Sequence, residues 1–274
     1  MPMAQQSPNL PKFRKPPVSE VAVGVQFTAP ELTPVHLGLF YQRVKERFPT
    51  VQVHPALPPA FETFGAAPIL SLPFGLSGLS PRMWFVAGDD ASLIQLQAGR
   101  LFFNWRGNVG SGAYPHFDSV RTEFLFALDE LTALAASEGL SEIAVQQCEL
   151  VYVNPLPSVA TGIPLTQPEG IFLCWSDDVG AEWQEPLEDL AFNARYRFDD
   201  ANGRPFGRLT VAVSSGLNYD GSEGFQLELT ARGLPLGAGR DGIVAFHDHA
   251  HQAIVRCFTG LTTPAMHERW ERYQ

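Results

Sequence analysis

The chain has 274 residues, of which 45% are hydrophobic and 11% aromatic, enough apolar area to bury one sizeable core or two smaller ones and to exclude bulk disorder. A formal charge of −10 and a pI near 5.1 argue against a nucleic-acid binder that works by neutralising phosphates. Only Lys12, Lys15 and Lys45 among the 19 basic residues are lysine, a bias read as a GC-rich genome rather than as arginine-specific chemistry.

Residues 1–17 read as a disordered arm, polar and proline-bearing, with no apolar stretch of the kind a secretory signal needs. Order is expected from Val18. Val21 to Phe27 (VAVGVQF) has the β-branched content of a strand. Thr33 and Pro34 form a helix start, Leu37, Phe40, Tyr41, Val44 and Phe48 keep helical spacing, and Pro49 stops the run. A strand at Thr50–His54 leads into a Pro/Gly-rich loop, Pro55 to Pro81, with Phe61, Phe64, Leu70, Leu72 and Phe74 spread through it. A loop of that length is functional, wraps the domain or hides a strand. Strands at Met83–Ala87, Leu93–Ala98 and Leu101–Arg106 follow, joined by tight turns. The strongest helix spans Phe117 to Glu138, with Val120, Phe124, Ala127, Leu128, Leu131, Leu134 and Ala135 in one stripe and Gly139 as its stop.

The pattern then recurs. A long strand, Glu142–Val153, ends at Asn154-Pro155, and further strands are expected at Ile171–Trp175, Leu190–Phe198, Arg208–Ser214 and Phe225–Arg232. A helix from Asp241 to Phe258 and a short one from Thr263-Pro264 close the chain. The fold class is therefore α+β, with an N-terminal domain at 18–140 and a C-terminal domain at 141–274. Each is an antiparallel β-α-β4-α-like half of helix-grip or TBP-like form, with a possible internal duplication seen in architecture only. The alternative is one antiparallel domain with helices on one face.

Cys148, Cys174 and Cys257 each sit in an apolar run without a C-x-x-C, as buried thiols of a reducing compartment do. No apolar run approaches the roughly 20 residues that span a bilayer. The expected location is cytoplasmic, with neither a nucleic-acid nor a membrane partner.

Four blocks carry a resemblance: PPVSEVAVGVQF, IQLQAGRLFFNWRG, QCELVYVNPL and AFHDHAHQAIVRCFTGLTTPAMHERW. In this order and spacing they resemble a sporadically distributed bacterial protein family, over Pro16 to Trp270. The resemblance implies bacterial origin and a cytoplasmic location. The family has no established activity, so it implies no mechanism.

Two constellations could carry chemistry. HDHAH places His247 and His251 one helical turn apart, in or beside the apolar arc of their helix. Such a pair can serve zinc, but no glutamate of an H-E-x-x-H motif and no cysteine pair accompanies it. Histidines hydrogen-bonded to a carboxylate or to the sheet backbone are the plainer reading, and no metal or other cofactor is assigned. In the strands, alternation puts Gln95, Gln97, Asn104 and Arg106 on one face, an amide-rich set beside Trp105 that suits a binding site or solvent. GNVGSG before YPHFD reads as a plain loop and LNYDGSEGF as a hairpin turn. PAMHERW reads as an end helix docked on its own domain.

No nucleophile motif is present, so the chain is not read as an enzyme. The first functional expectation is a non-catalytic, immunity- or antitoxin-like protein. It would bind a partner encoded nearby through the polar sheet faces and the inter-domain cleft, using Gln95, Gln97, Asn104, Trp105, Arg106, His247 and His251. The second is a helix-grip small-molecule binder or enzyme with a cavity between sheet and long helix, the 61–74 aromatics acting as a lid. The third is a metal-dependent hydrolase at His247 and His251.

Overall fold

The computed structural model describes residues 9–28, 31–64, 81–107, 109, 113–176, 185–217 and 221–274. In chain order the elements are β1 (Glu20–Thr28), α1 (Pro34–Val44), β2 (Thr50–His54), β3 (Arg82–Val86), β4 (Ser92–Gln97), β5 (Arg100–Arg106), α2 (Phe117–Ser137), β6 (Ala144–Pro157), α3 (Ser158–Thr161), β7 (Ala191–Asp199), β8 (Pro205–Leu217), β9 (Glu223–Gly233), α4 (Gly239–Leu261) and α5 (Pro264–Arg269).

The expected pair of sheets is a single one. Nine antiparallel strands run in the order β2-β3-β4-β5-β1-β6-β9-β8-β7. The first strand of each sequence half lies at the centre, where β1 pairs with β6 from Glu20↔Val153 to Thr28↔Ala144. The expected boundary after residue 140 thus falls inside one continuous sheet with one apolar core. Sequence reading finds strands but not their lateral partners, and the join between halves is a lateral pairing.

One face of the sheet is greasy. Val21, Val23 and Val25 of β1 stand in register with Trp105, Phe103 and Leu101 of β5 and with Tyr152, Leu150 and Cys148 of β6, all buried. The stripe expected on α2 is buried in full. α2 packs over β5 and β1, and α4 over β6, β9 and β8. Outward charges tie the helices together: Glu130 of α2 pairs with Arg43 of α1, Glu123 with Arg47 just beyond it, and Asp129 with Arg240 of α4. α2 ends in a Schellman motif, in which the amide of Leu140 donates to Ala135 and that of Gly139, at φ +66°, donates to Ala136.

Three expectations change. β6 runs past Asn154-Pro155 to Pro157, because β1 ends opposite Val153 and so asks no donor of Pro155. Ile171–Trp175 is no strand. Ile171 and Phe172 sit fully buried in a turn whose amides both reach Pro168, with one bridge from Phe172 to Thr262. Residues 9–17, expected within the disordered arm, lie along the C-terminal segment. Lys12 exchanges backbone hydrogen bonds with Tyr273 and Gln274, and Lys15 donates to Trp270. Phe13 packs edge-on against Phe258 and Trp270. α5 docks through buried Met266 and Trp270. Among the described residues, no helix is long and apolar enough to cross a membrane.

Candidate functional site

The polar face of the sheet carries the expected alternation, with Gln95, Gln97, Asn104 and Arg106 on it and Trp105 buried on the opposite face. Much of that face is covered by the chain's own loop. Gln97, Gln26 and Gln147 lie in one row across β4, β1 and β6, each nearly fully buried. The amide of Gln97 accepts from the Leu57 backbone N–H at 3.0 Å and donates to its carbonyl at 2.8 Å. Gln26 does the same with Ala60, at 2.9 and 2.7 Å. Gln147 accepts from the Glu62 amide at 2.7 Å and donates to the Ala60 carbonyl. A primary amide presents a donor and an acceptor side by side, as a strand edge does, so this row substitutes for a partner strand under a segment that crosses the sheet.

Charge fixes the end of the segment. Glu62 pairs with Arg208 and Arg232, and Arg232 holds Glu149 through two bonds of 2.9 Å. This overturns the expectation of a face wholly left to water or a partner, because residues 57–63 occupy its centre. Of the apolar residues of the expected lid loop, Leu70, Leu72 and Phe74 lie outside the described residues, as do Gly110 and Gly112 of the glycine loop and the tip of the 217–225 hairpin.

The two histidines face the sheet and go to different partners. Fully buried His247 places Nε2 3.2 Å from the Gly24 carbonyl, and burial holds its pKa down at about 4. His251 stacks on Phe117 with ring centroids 4.1 Å apart, and its Nδ1 lies 3.1 Å from the Tyr152 hydroxyl. That hydroxyl is in turn 2.8 Å from the Tyr114 hydroxyl. Among the described residues, no group of three or more His, Cys, Asp or Glu is placed to hold a metal. His247 is turned to a backbone carbonyl and His251 to a phenol, so among the described residues the hydrolase reading finds no ligand set to build on.

His251 and Tyr152 open onto a cavity of about 500 Å³ between the sheet and the helices. Leu229 of β9, Phe117 of α2 and Ile254, Val255 and Phe258 of α4 supply apolar walls, and Leu10 to Val18 form the outer side. Lys12 and Asp118 bring the charge, and Asp118 is bound to Arg121 at 2.9 Å. Burial raises the pKa of both tyrosines and lowers that of His251 to about 4, against a smaller opposing pull from Asp118. At neutral pH the Tyr114–Tyr152–His251 chain is therefore uncharged throughout. His251 Nε2 has no hydrogen-bond partner among the described residues and stands available to the cavity.

The rim is strained: His116 holds φ +67° and ψ 154°, a conformation that costs a non-glycine residue about 1–3 kcal/mol. It forms the corner between Tyr114 and α2.

Sequence reading singled out His251 but not Tyr114, Tyr152 or Asp118. The available signal was Tyr152 itself, a hydroxyl placed by alternation in the greasy row with Cys148 and Leu150. A buried tyrosine there needs a partner. No protein-family model matches this chain, and no curated protein matches it.

Proposed function

We propose that the protein binds a small, mainly apolar molecule with one neutral polar end in the cavity under α2 and α4. The observation that carries this reading is the set of apolar walls around the buried, uncharged Tyr114–Tyr152–His251 chain, with Asp118 already bound to Arg121. About 500 Å³ lies in the range of sites that enclose small molecules. A charged end group would have to shed its water against an uncharged chain, whereas a hydroxyl, carbonyl or ether can exchange one hydrogen bond with His251 Nε2. The mirrored strand order around β1 and β6 fits two grip-like halves, each laying one long helix on the same face. The protein acts, on this reading, as a cytoplasmic binding protein. A protein partner on the polar face has less support, because residues 57–63 already use the central glutamines.

Titration with the neutral dye N-phenyl-1-naphthylamine tests the reading. Saturable fluorescence enhancement is expected, with its loss in Val255→Trp, which fills the cavity. Competitors bearing a hydroxyl or carbonyl should lose roughly tenfold in affinity with Tyr152→Phe, and purely apolar competitors should not. Dye binding that survives Val255→Trp unchanged would place the ligand elsewhere and reject the proposal.

A further inference from the structure

A second cavity, of about 270 Å³, lies on the polar face beside the crossing segment and is bounded by Leu57. Ala22, Phe102 and Val151 line it with apolar surface. The Phe102 ring lies over Gly24, where a Cβ would collide with it, so this part of the floor needs glycine.

Glu149, which also lines the cavity, is taken up by Arg232 and Arg100, and the lining charges without an ion pair are separated by sign. On one side Arg82 donates to Gln95 Oε1 at 3.1 Å, Gln95 donates to Asn104 Oδ1 at 2.8 Å, and Asn104 donates to Glu20 Oε1 at 2.6 Å. The chain is polarised from a guanidinium to a carboxylate. Arg100, with its guanidinium over the Phe102 ring, stands near Arg82, and the two repel. Glu228 lies near Glu20 at the other end, and these two also repel. Among the described residues, neither Glu20 nor Glu228 makes an ion pair within 4 Å, and neither does Arg82. Arg106 stands opposite Glu20 in register but gives its hydrogen bond to the Asp90 carbonyl, acting on Glu20 only at longer range. Arg100 shares Glu149 with Arg232, at 3.5 Å against 2.9 Å. A carboxylate pair and a guanidinium thus face one cavity from opposite ends, each without a direct counter-charge.

We infer that this cavity binds a short zwitterion, its anionic end at Arg82 and Arg100 and its cationic end at Glu20 and Glu228. The span sets the size. Hydrogen bonds of 3.1, 2.8 and 2.6 Å and two amide groups of about 2 Å each put the guanidinium up to about 13 Å from the Glu20 carboxylate. With one hydrogen-bond length left at each end, the ligand charges stand up to about 7 Å apart, as in an extended dipeptide. An α-amino acid, with its charges on one carbon, cannot reach both ends. The volume equals that of roughly nine waters, room for two small residues over the apolar floor. The inference is independent of the cavity under α2 and α4.

Calorimetric titration at neutral pH with a panel of dipeptides covering small, apolar and polar side chains tests it, alongside their N-acetylated and C-amidated forms. At least one free dipeptide is expected to bind at a single site, and blocking either terminus should weaken it roughly tenfold. Glu20→Gln, which keeps an acceptor for Asn104, should weaken the free dipeptide by a similar factor and leave the acetylated form unaffected. Tyr152→Phe should leave dipeptide binding unchanged. The inference is overturned by no binding across the panel at millimolar concentration, by equal binding of free and blocked forms, or by loss of binding in a Tyr152→Phe variant that retains a cooperative unfolding transition. The wild-type comparison of free with blocked peptides decides the matter even if a variant misfolds.

Discussion

Acidification strikes this fold at two buried imidazoles, and the size of the loss can be worked from their surroundings. His247 and His251 both titrate near 4 in the folded chain against an ordinary value of 6.5, chiefly because burial disfavours the cation. A depressed folded pKa means that the unfolded chain binds protons more tightly. The stability is therefore present above pH 6.5 and is lost as pH falls towards 4. Each group accounts for about 3 kcal/mol over that interval, at 1.36 kcal/mol per pKa unit. Glu20 acts in the opposite sense, since burial raises its pKa and its protonation on acidification favours the fold. Urea unfolding at half-unit steps from pH 7 to pH 4 measures the net loss. His247→Gln keeps a donor for the Gly24 carbonyl and cannot titrate, so it should remove about one proton from the slope. Glu20→Gln should steepen the loss instead. A flat wild-type profile, or a slope indifferent to His247→Gln, would refute the assignment of a buried neutral imidazole to that position.

Tyr152→Phe leaves the Tyr114 hydroxyl and His251 Nδ1 without their shared partner and should cost about 1–3 kcal/mol by chemical denaturation. Because both tyrosines serve one chain, adding Tyr114→Phe should cost less than the sum of the single changes. Gly24→Ala drives a methyl into the Phe102 ring and should destabilise by about 1–3 kcal/mol, with partial recovery in the Gly24→Ala/Phe102→Ala double variant. Glu62→Gln removes both ion pairs that hold the end of the crossing segment. Hydrogen exchange at the amides of Leu57, Ala60 and Glu62 should accelerate while the amides of β1 stay protected.

How much of this was legible depended on whether the signal was local. Period-two alternation sorted Gln95, Gln97 and Asn104 from Ile94, Leu96 and Trp105 correctly, because adjacent residues of a strand must point to opposite faces. Helical spacing likewise put His247 in the apolar arc of its helix, but it left the partner open between a carboxylate and the sheet backbone; the Gly24 carbonyl takes that place, and His251 goes to a phenol. Ile171–Trp175 failed because a short apolar run is the same whether it pairs or plugs a gap. Long-range complementarity left no trace to read. Nothing near Gln26 or Gln147 announces that their amides will hold Ala60, and nothing in residues 9–17 announces the C-terminal segment as their support. Tyr114 and Tyr152 come from different sequence halves, so the centre of the cavity exists only once both are placed.

The position of β1 has a consequence for synthesis. Val21 needs both Trp105 and Tyr152 as lateral neighbours, and both are made after it. Until β6 leaves the ribosome, one long side of that strand has free amides and carbonyls and a valine-rich flank, which is the template that recruits strands from other chains. A message cut short before β6, or a half expressed by itself, would accordingly yield inclusion bodies, and nascent copies would need shelter until the middle of the sheet has been joined.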